Sequence, residues 1–228
     1  MDLETWLPMY DEICDEFGFD RRLDAESADI LASILQGRGE AGLASVRSNF
    51  PRSVTVCGGS QALGDEISSM QVEGYLVAAD SATSVLLEAG VEPNMIVTDL
   101  DGIVEDQIEL NRKGVAVFVH AHGDNRPALE RYVPLFAGTI VGTCQCPPPK
   151  GLHNFGGFTD GDRAACICVA LGARDIQLVG FDFENPSEKA GKRRDVKKRK
   201  LLWAKKIIDE ISREGVRIKS AKAGPDAL

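Results

Sequence analysis

Ser53-Val54-Thr55-Val56-Cys57-Gly58-Gly59-Ser60 is the stretch on which the fold turns. A β-branched run of this length predicts a strand. The two glycines predict a tight turn, and the residues after Ser60 have helical periodicity. Strand, glycine turn and helix in that order form the opening unit of a nucleotide-binding α/β sheet. A Gly-Gly-Ser turn is equally the shape of an ordinary βα loop, so the reading gains weight only by repetition.

The unit does repeat downstream. Tyr75–Ala79 ends at Asp80 before a helix from Ser81 to Ala89. Met95–Thr98 ends in Asp99-Leu100-Asp101-Gly102 before a helix from Ile103 to Arg112. Val115–Val119 ends in His120-Ala121-His122-Gly123-Asp124-Asn125, with a helix through about Leu135. Thr139–Gly142 is a short strand followed by a Pro-rich loop. A helix over Asp160–Leu171, a strand over Ile176–Val179 and a long basic helix complete the pattern. Strands alternating with helices predict a Rossmann-like α/β fold: a mostly parallel sheet of about six strands with helices on both faces. Upstream of Phe50-Pro51 the periodicity is helical, with Trp6, Leu7, Met9, Tyr10, Ile13 and Phe17 on one stripe and Ile30, Leu31, Ile34 and Leu35 on another. The expected organisation is a helical region over 1–50 and a catalytic α/β domain over 51–228. The helices either cover a sheet face or build a dimer contact, so a homo-oligomer is one expectation.

Composition narrows the function. The 228 residues are 43% hydrophobic and 27% charged, ordinary for a globular protein. No run approaches the roughly 18 apolar residues of a membrane span. The acidic opening Met1-Asp2-Leu3-Glu4 lacks a basic-then-apolar leader, so a cytoplasmic protein is expected. A net charge of −9 disfavours nucleic acid as a partner. Between Lys189 and Lys206, however, ten basic residues accompany a single acid, Asp195. An acidic body with one basic stretch suits a small anionic ligand taken with a divalent cation, although a solvated helix face has the same composition. The six cysteines, in two C-x-C pairs and two singles, lack the spacing of a zinc site and read as plain thiols.

Parallel sheets bind ligands beyond the carboxyl ends of their strands, and the unusual residues of this chain fall there. Gly58, Gly59 and Ser60 can offer backbone N–H groups to a phosphate. Asp80 is either a helix cap or a site acid. Asp99 and Asp101, two apart on extended backbone, put both carboxylates on one side. Like charges so close call for a cation, and Mg2+ fits oxygen ligands. His122 and Asp124, with His120 and Asn125, form a second polar group. Asn154, Phe155 and Asp160 lie in a Gly-rich stretch suited to a flat, base-like ring, with Thr159 or Asp160 equally able to cap the next helix.

The ordered set P-N-M-I-V-T-D-L-D-G, H-A-H-G-D-N, G-F-T-D-G-D-R-A and V-G-F-D-F ahead of spaced lysines resembles the archaeal 6-hydroxymethyl-7,8-dihydropterin pyrophosphokinase family, over about Ser53–Ile211. That family is distantly similar in fold to the thiamine pyrophosphokinase catalytic domain. Here A-D-S-A and T-D-L-D-G stand where thiamine enzymes have A-D-G-G and G-D-x-D-S, and a C-terminal β-barrel domain is not expected. The resemblance implies transfer of diphosphate from ATP to a reduced pterin, releasing AMP, in methanopterin- or folate-type pterin biosynthesis. It implies Mg2+ on Asp80, Asp99 and Asp101, and nucleotide contacts from Gly58, Gly59, Ser60, Lys192, Lys197 and Lys200. His122 or Asp124 would act on the pterin hydroxyl, and Asn154, Phe155 and Asp160 on the ring. A thiamine-directed kinase, a nucleotide-sugar transferase and a non-catalytic nucleotide-binding protein are the competing expectations.

Overall fold

The computed structural model describes residues 1–69, 74–184 and 194–220. Three helices come first: α1 (Leu3–Phe17), α2 (Arg21–Leu35) and α3 (Arg38–Ser48). The sheet then alternates β1 (Ser53–Cys57), α4 (Leu63–Ser69), β2 (Tyr75–Ala79), α5 (Ala82–Glu88), β3 (Met95–Thr98), α6 (Val104–Arg112), β4 (Ala116–Ala121), α7 (Arg126–Tyr132), a 3-10 turn (Val133–Leu135), β5 (Ile140–Cys144), α8 (Asp160–Leu171), β6 (Asp175–Val179), α9 (Arg194–Arg213) and β7 (Arg217–Ser220). The strands lie in the order β5-β4-β3-β2-β1-β6-β7, and every pairing is parallel. There are thus seven strands, one more than expected. The additional strand, Arg-Ile-Lys-Ser, is short, sits at the sheet edge and half-buries one side chain, so its hydrophobic signal is faint.

From β1 the chain steps outward to β5 and then returns to place β6 on the other side of β1. Right-handed crossovers that travel in opposite directions put their helices on opposite faces. Accordingly α4, α5 and α6 form one row, while α8 lies over β1, β2 and β3 beneath α9. Both faces are covered, and β3, β4 and β5 are buried at every position. The strand order reverses between β1 and β6, the kind of position beyond whose carboxyl ends such sheets bind ligands.

The N-terminal helices close the β5 side, and one continuous core runs from Trp6 through the sheet to Ile211. Helix α3 passes through Gly39 and Gly42, beyond the point where the apolar stripe ended in sequence. A Cβ at Gly42 would stand 2.4 Å from the Ile140 carbonyl oxygen, so glycine lets this helix lie directly on the edge strand. Alanine in a helix interior normally stabilises by about 1 kcal/mol over glycine. At Gly42 the sign should reverse, with Gly42→Ala costing about 1–3 kcal/mol through forced displacement of α3, read as a lower urea midpoint.

The basic helix α9 buries Trp203, Ala204, Ile207, Ile208 and Ile211 along one stripe. Its charges are partly answered by α1: Arg199 and the Trp203 indole reach Glu16, at 3.4 and 2.7 Å, and Lys206 reaches Glu12 at 3.2 Å. All six cysteines are free and buried. Among the described residues no helix is long and apolar enough to cross a membrane.

Candidate active site

A cavity of about 550 Å³ opens at the carboxyl ends of the strands. Its floor is acidic. Asp80, one residue past β2, has φ +43°, and Leu100, between Asp99 and Asp101, has φ +68°. Side chains other than glycine rarely adopt this conformation, and where they do it tends to mark a functional site. Thr98 secures the turn, accepting the Leu100 N–H at 2.9 Å and donating its hydroxyl to Asp80 Oδ1 at 2.7 Å. Gln107 of α6 donates to the same oxygen at 3.2 Å. Asp80 therefore does not cap α5 with its side chain. A Cβ at Gly102 would lie 2.8 Å from Asp80 Oδ2, which explains the glycine after Asp101.

Carboxylate oxygens of Asp80, Asp99 and Asp101 all lie within 4.8 Å of one another. The reason differs from the one expected. Strand β3 stops at Thr98, so strand alternation does not align Asp99 with Asp101. The left-handed Leu100 folds the chain back, and Asp99 Oδ1 accepts the Asp101 N–H at 3.1 Å. Burial, with the charges of Asp99 and Asp101, pushes the Asp80 carboxyl up to about 6. For Asp99 burial acts in the same direction, but the hydrogen bond and charge of His122, with Arg163 beyond, hold it below the ordinary carboxylate range. Three hard oxygen donors converging where negative charge is already costly fit a divalent cation.

Around this floor stand the other expected residues. His122 Nε2 is 3.5 Å from Asp99 Oδ2, and His122 Nδ1 accepts from the Asp124 N–H at 3.4 Å. Asp124 is exposed at the cavity wall. His120 is fully buried behind it, with Nδ1 3.1 Å from the Thr143 hydroxyl, and burial holds its ring well below the usual histidine range. Asn125 ties the loop by donating to the Asp99 and His120 carbonyls. Lys197 and Lys200 line the opposite wall, the Lys200 Nζ lying 5.2 Å from the Phe158 ring centre. Lys192 falls outside the described residues.

Two expectations are corrected. The amides of Gly58 and Ser60 do not form a phosphate cradle, because they donate to Val179 and Gly180 carbonyls at 2.8 and 3.0 Å. The glycines serve close approach instead: a Cβ at Gly58 would meet the Gly180 oxygen at 2.8 Å, and one at Gly59 the Ser81 hydroxyl at 2.6 Å. The turn still lines the cavity at the β1–β6 crevice. Asn154 and Phe155 stand away from the cavity. The Asn154 amide is spent on the carbonyls of Gln145 and Cys146, and Phe155 packs edge-on against Phe118 and stacks on His153. Asp160 does reach the cavity, its carboxyl held well above the ordinary range by burial and by Asp99, against the pull of Arg163. The cap of α8 is neither Asp160 nor Thr159 alone but the reciprocal pair Thr159–Asp162.

Sequence reasoning missed two contributors. Arg163, inside the quoted G-D-R-A motif, is buried and bonds Asp160 Oδ1 at 3.1 Å and the Phe158 carbonyl at 3.0 Å. A basic residue one turn into an apolar helix was the available signal. The helical region supplies Phe19, Leu23 and Asp24 to the cavity wall. No local motif marks these, since their role depends on where α2 docks.

Comparison with known proteins places the chain among relatives. A family described as 6-hydroxymethylpterin diphosphokinase MptE-like matches residues 31–188. Proteins named 6-hydroxymethyl-7,8-dihydropterin pyrophosphokinase are similar along nearly their whole length. That of Methanothermobacter thermautotrophicus is 43% identical, covering 94% of this chain and 97% of its own. That of Pyrococcus furiosus is 39% identical, with 94% and 96% covered. That of Methanocaldococcus jannaschii is 34% identical, with 92% and 96% covered. Among solved structures, a probable thiamine pyrophosphokinase from Staphylococcus saprophyticus and the thiamine pyrophosphokinase of Bacillus subtilis each align over 74% of this chain, and over 64% and 59% of their own, at 18% identity with TM-scores of 0.39 and 0.40.

Proposed function

The chain belongs to the 6-hydroxymethylpterin diphosphokinase MptE-like family, and we propose that it transfers diphosphate from ATP to 6-hydroxymethyl-7,8-dihydropterin in the presence of Mg2+. The observation that carries this reading is the convergence of three carboxylates from the tips of β2 and β3 on the floor of one cavity. In the reaction the hydroxymethyl oxygen attacks the β-phosphorus. The bond from that phosphorus to the oxygen bridging the α-phosphate breaks, AMP departs with the electron pair, and the hydroxyl proton passes to a base. Little covalent work falls to the protein, so positioning and charge supply most of the acceleration.

Asp80, Asp99 and Asp101 would hold the cation, which when bound neutralises phosphate oxygens and so lowers the cost of charge build-up on them. Lys197 and Lys200, which line the cavity from α9, would contact further phosphate oxygens. The role assigned to Lys192 is the same, without structural support. Gly58, Gly59 and Ser60 would form the nucleotide's wall at the β1–β6 crevice. His122 and Asp124 separate by their hydrogen bonds. With Nδ1 taking the Asp124 N–H and Nε2 facing Asp99, both ring nitrogens of His122 are engaged, and it would serve to orient Asp99. Asp124, exposed at the cavity wall, would then be the base. Asp160, tied to Arg163, keeps a place on the substrate side. Residues 51–228 carry this chemistry, and 1–50 complete the wall.

The test is incubation with ATP, Mg2+ and candidate acceptors. AMP should appear with 6-hydroxymethyl-7,8-dihydropterin and not without it. ATP binding with no AMP would favour a non-catalytic nucleotide-binding protein, and AMP released only with thiamine would move the acceptor.

A further inference from the structure

The cavity wall holds one buried carboxylate that the chemistry above does not use. Asp24, in the first turn of α2, is 3% exposed yet lines the cavity. No lysine or arginine among the described residues forms an ion pair with it. Three neutral donors serve it instead. The Gly123 N–H reaches Oδ1 at 2.7 Å, and the Tyr10 hydroxyl and the Gln145 amide reach Oδ2, each at 2.8 Å. A carboxylate has about four lone-pair positions, so one remains, on Oδ1, in a residue that lines the cavity.

The surroundings define what would fill that position. Phe19 and Leu23 stand on the same side of the cavity, and Phe158 faces Phe19 with ring centres 6.2 Å apart. Apolar walls with a hydrogen-bond acceptor at the edge suit a flat heterocycle that carries a donor. Lys200 Nζ stands over the Phe19 and Phe158 rings, 5.7 and 5.2 Å from their centres, so the phosphate side begins there; at Asp24 itself a buried carboxylate repels a polyphosphate. Of the two substrates, the pterin has a 2-amino group at the end of its ring system opposite the hydroxymethyl arm. The loop bonded to Asp24 through Gly123 also bears His122 and Asp124, so a ring held at Asp24 shares one cavity with the reacting groups.

Resting on the diphosphokinase reading, we propose that Asp24 is the acceptor-specificity residue: it accepts a hydrogen bond from the pterin 2-amino group and seats the ring between α2 and the loop after β4, leaving the β1–β6 crevice to the nucleotide. The alternative is that Asp24 only ties α2 to that loop. Asp24→Asn separates the two. The Tyr10 hydroxyl and the Gln145 amide can each donate or accept, so an asparagine can be accommodated by reversing them. The Gly123 N–H keeps the amide oxygen at the Oδ1 position in that arrangement, so the variant removes the charge and leaves a neutral acceptor.

Binding of 6-hydroxymethylpterin and of its 2-oxo counterpart, 6-hydroxymethyllumazine, is to be titrated by ligand fluorescence, with ATP turnover measured in parallel. The wild-type protein should prefer the pterin by about 10- to 100-fold, the worth of one hydrogen bond to a charged group. Asp24→Asn should cut that preference by about 5- to 10-fold, the difference between a charged and a neutral acceptor, while its KM for ATP stays within about 3-fold of wild type. Tyr10→Phe, which removes a tie and leaves the carboxylate, should keep the preference. The inference is overturned if Asp24→Asn keeps the preference undiminished, if Tyr10→Phe loses as much, or if the wild type binds both ligands equally. That last comparison needs no variant and decides the matter should Asp24→Asn fail to fold. Wild-type protein that turns over the pterin but shows no preference sinks the Asp24 role alone. Absence of AMP from the wild type with the pterin removes the diphosphokinase reading, and the Asp24 role with it.

Discussion

Asp101→Asn is expected to lower kcat by about 10³-fold, the scale seen when a group stabilising transition-state charge is removed. Stability should stay within about 0.5 kcal/mol of wild type, as for most exposed substitutions. Asp101 is the cleanest of the three acids to change. It is exposed, whereas Asp80 is buried and accepts from both Thr98 and Gln107. An amide at Asp80 would disturb that network and mix folding with chemistry. The change at Asp101 keeps the side-chain shape and removes one charged oxygen donor from a set that spans 4.8 Å. AMP release across a Mg2+ titration, with a urea denaturation curve alongside, provides the check. Activity above a tenth of wild type at ordinary Mg2+ would contradict the assignment of this residue.

Asp162→Ala should cost about 3 kcal/mol or more of stability, since it strips one charged acceptor from several buried donors and removes a helix cap. Asp162 is fully buried at the start of α8. It accepts the Phe158 N–H at 2.6 Å and the Thr159 N–H at 2.9 Å, and the Thr159 hydroxyl as well. These bonds hold the stretch from which Phe158 and Asp160 reach the cavity, so activity should fall with stability. Asp162→Asn, which keeps one acceptor and adds a donor, should fall between alanine and wild type. The urea midpoint at constant m-value is the measurement. A loss under about 1 kcal/mol, the worth of an ordinary hydrogen bond, would mean that the capping box is not what holds the loop.

The alternation of strand and helix was legible because each unit carries its own period and its own stop. β1, β2 and β3 begin and end where their strand-like apolar runs do, and α8 where its apolar stripe does. β7 was not legible, having one half-buried side chain at an edge. The acids were legible as residue types at strand ends, but the geometry joining them was not: nothing in Asp99-Leu100-Asp101 announces a left-handed leucine. Asn154 and Phe155 misled for a related reason. A glycine-rich stretch with an amide and a ring suits a ligand, and it suits equally a loop that must satisfy Gln145 and Cys146 carbonyls beside an edge strand. Least legible was Asp24, whose place at the site depends on contacts 99 and 121 residues away along the chain.

The central claim is that the carboxylates of Asp80, Asp99 and Asp101 grip the cation that carries the transferring diphosphate. Its most direct test is a crystal structure with a non-hydrolysable ATP analogue and Mn2+ in place of Mg2+, the ion located by its anomalous signal. The account predicts the anomalous peak among those three carboxylates, bridged to phosphate oxygens. A peak elsewhere, with the three side chains making no contact to ion or phosphate, would contradict it.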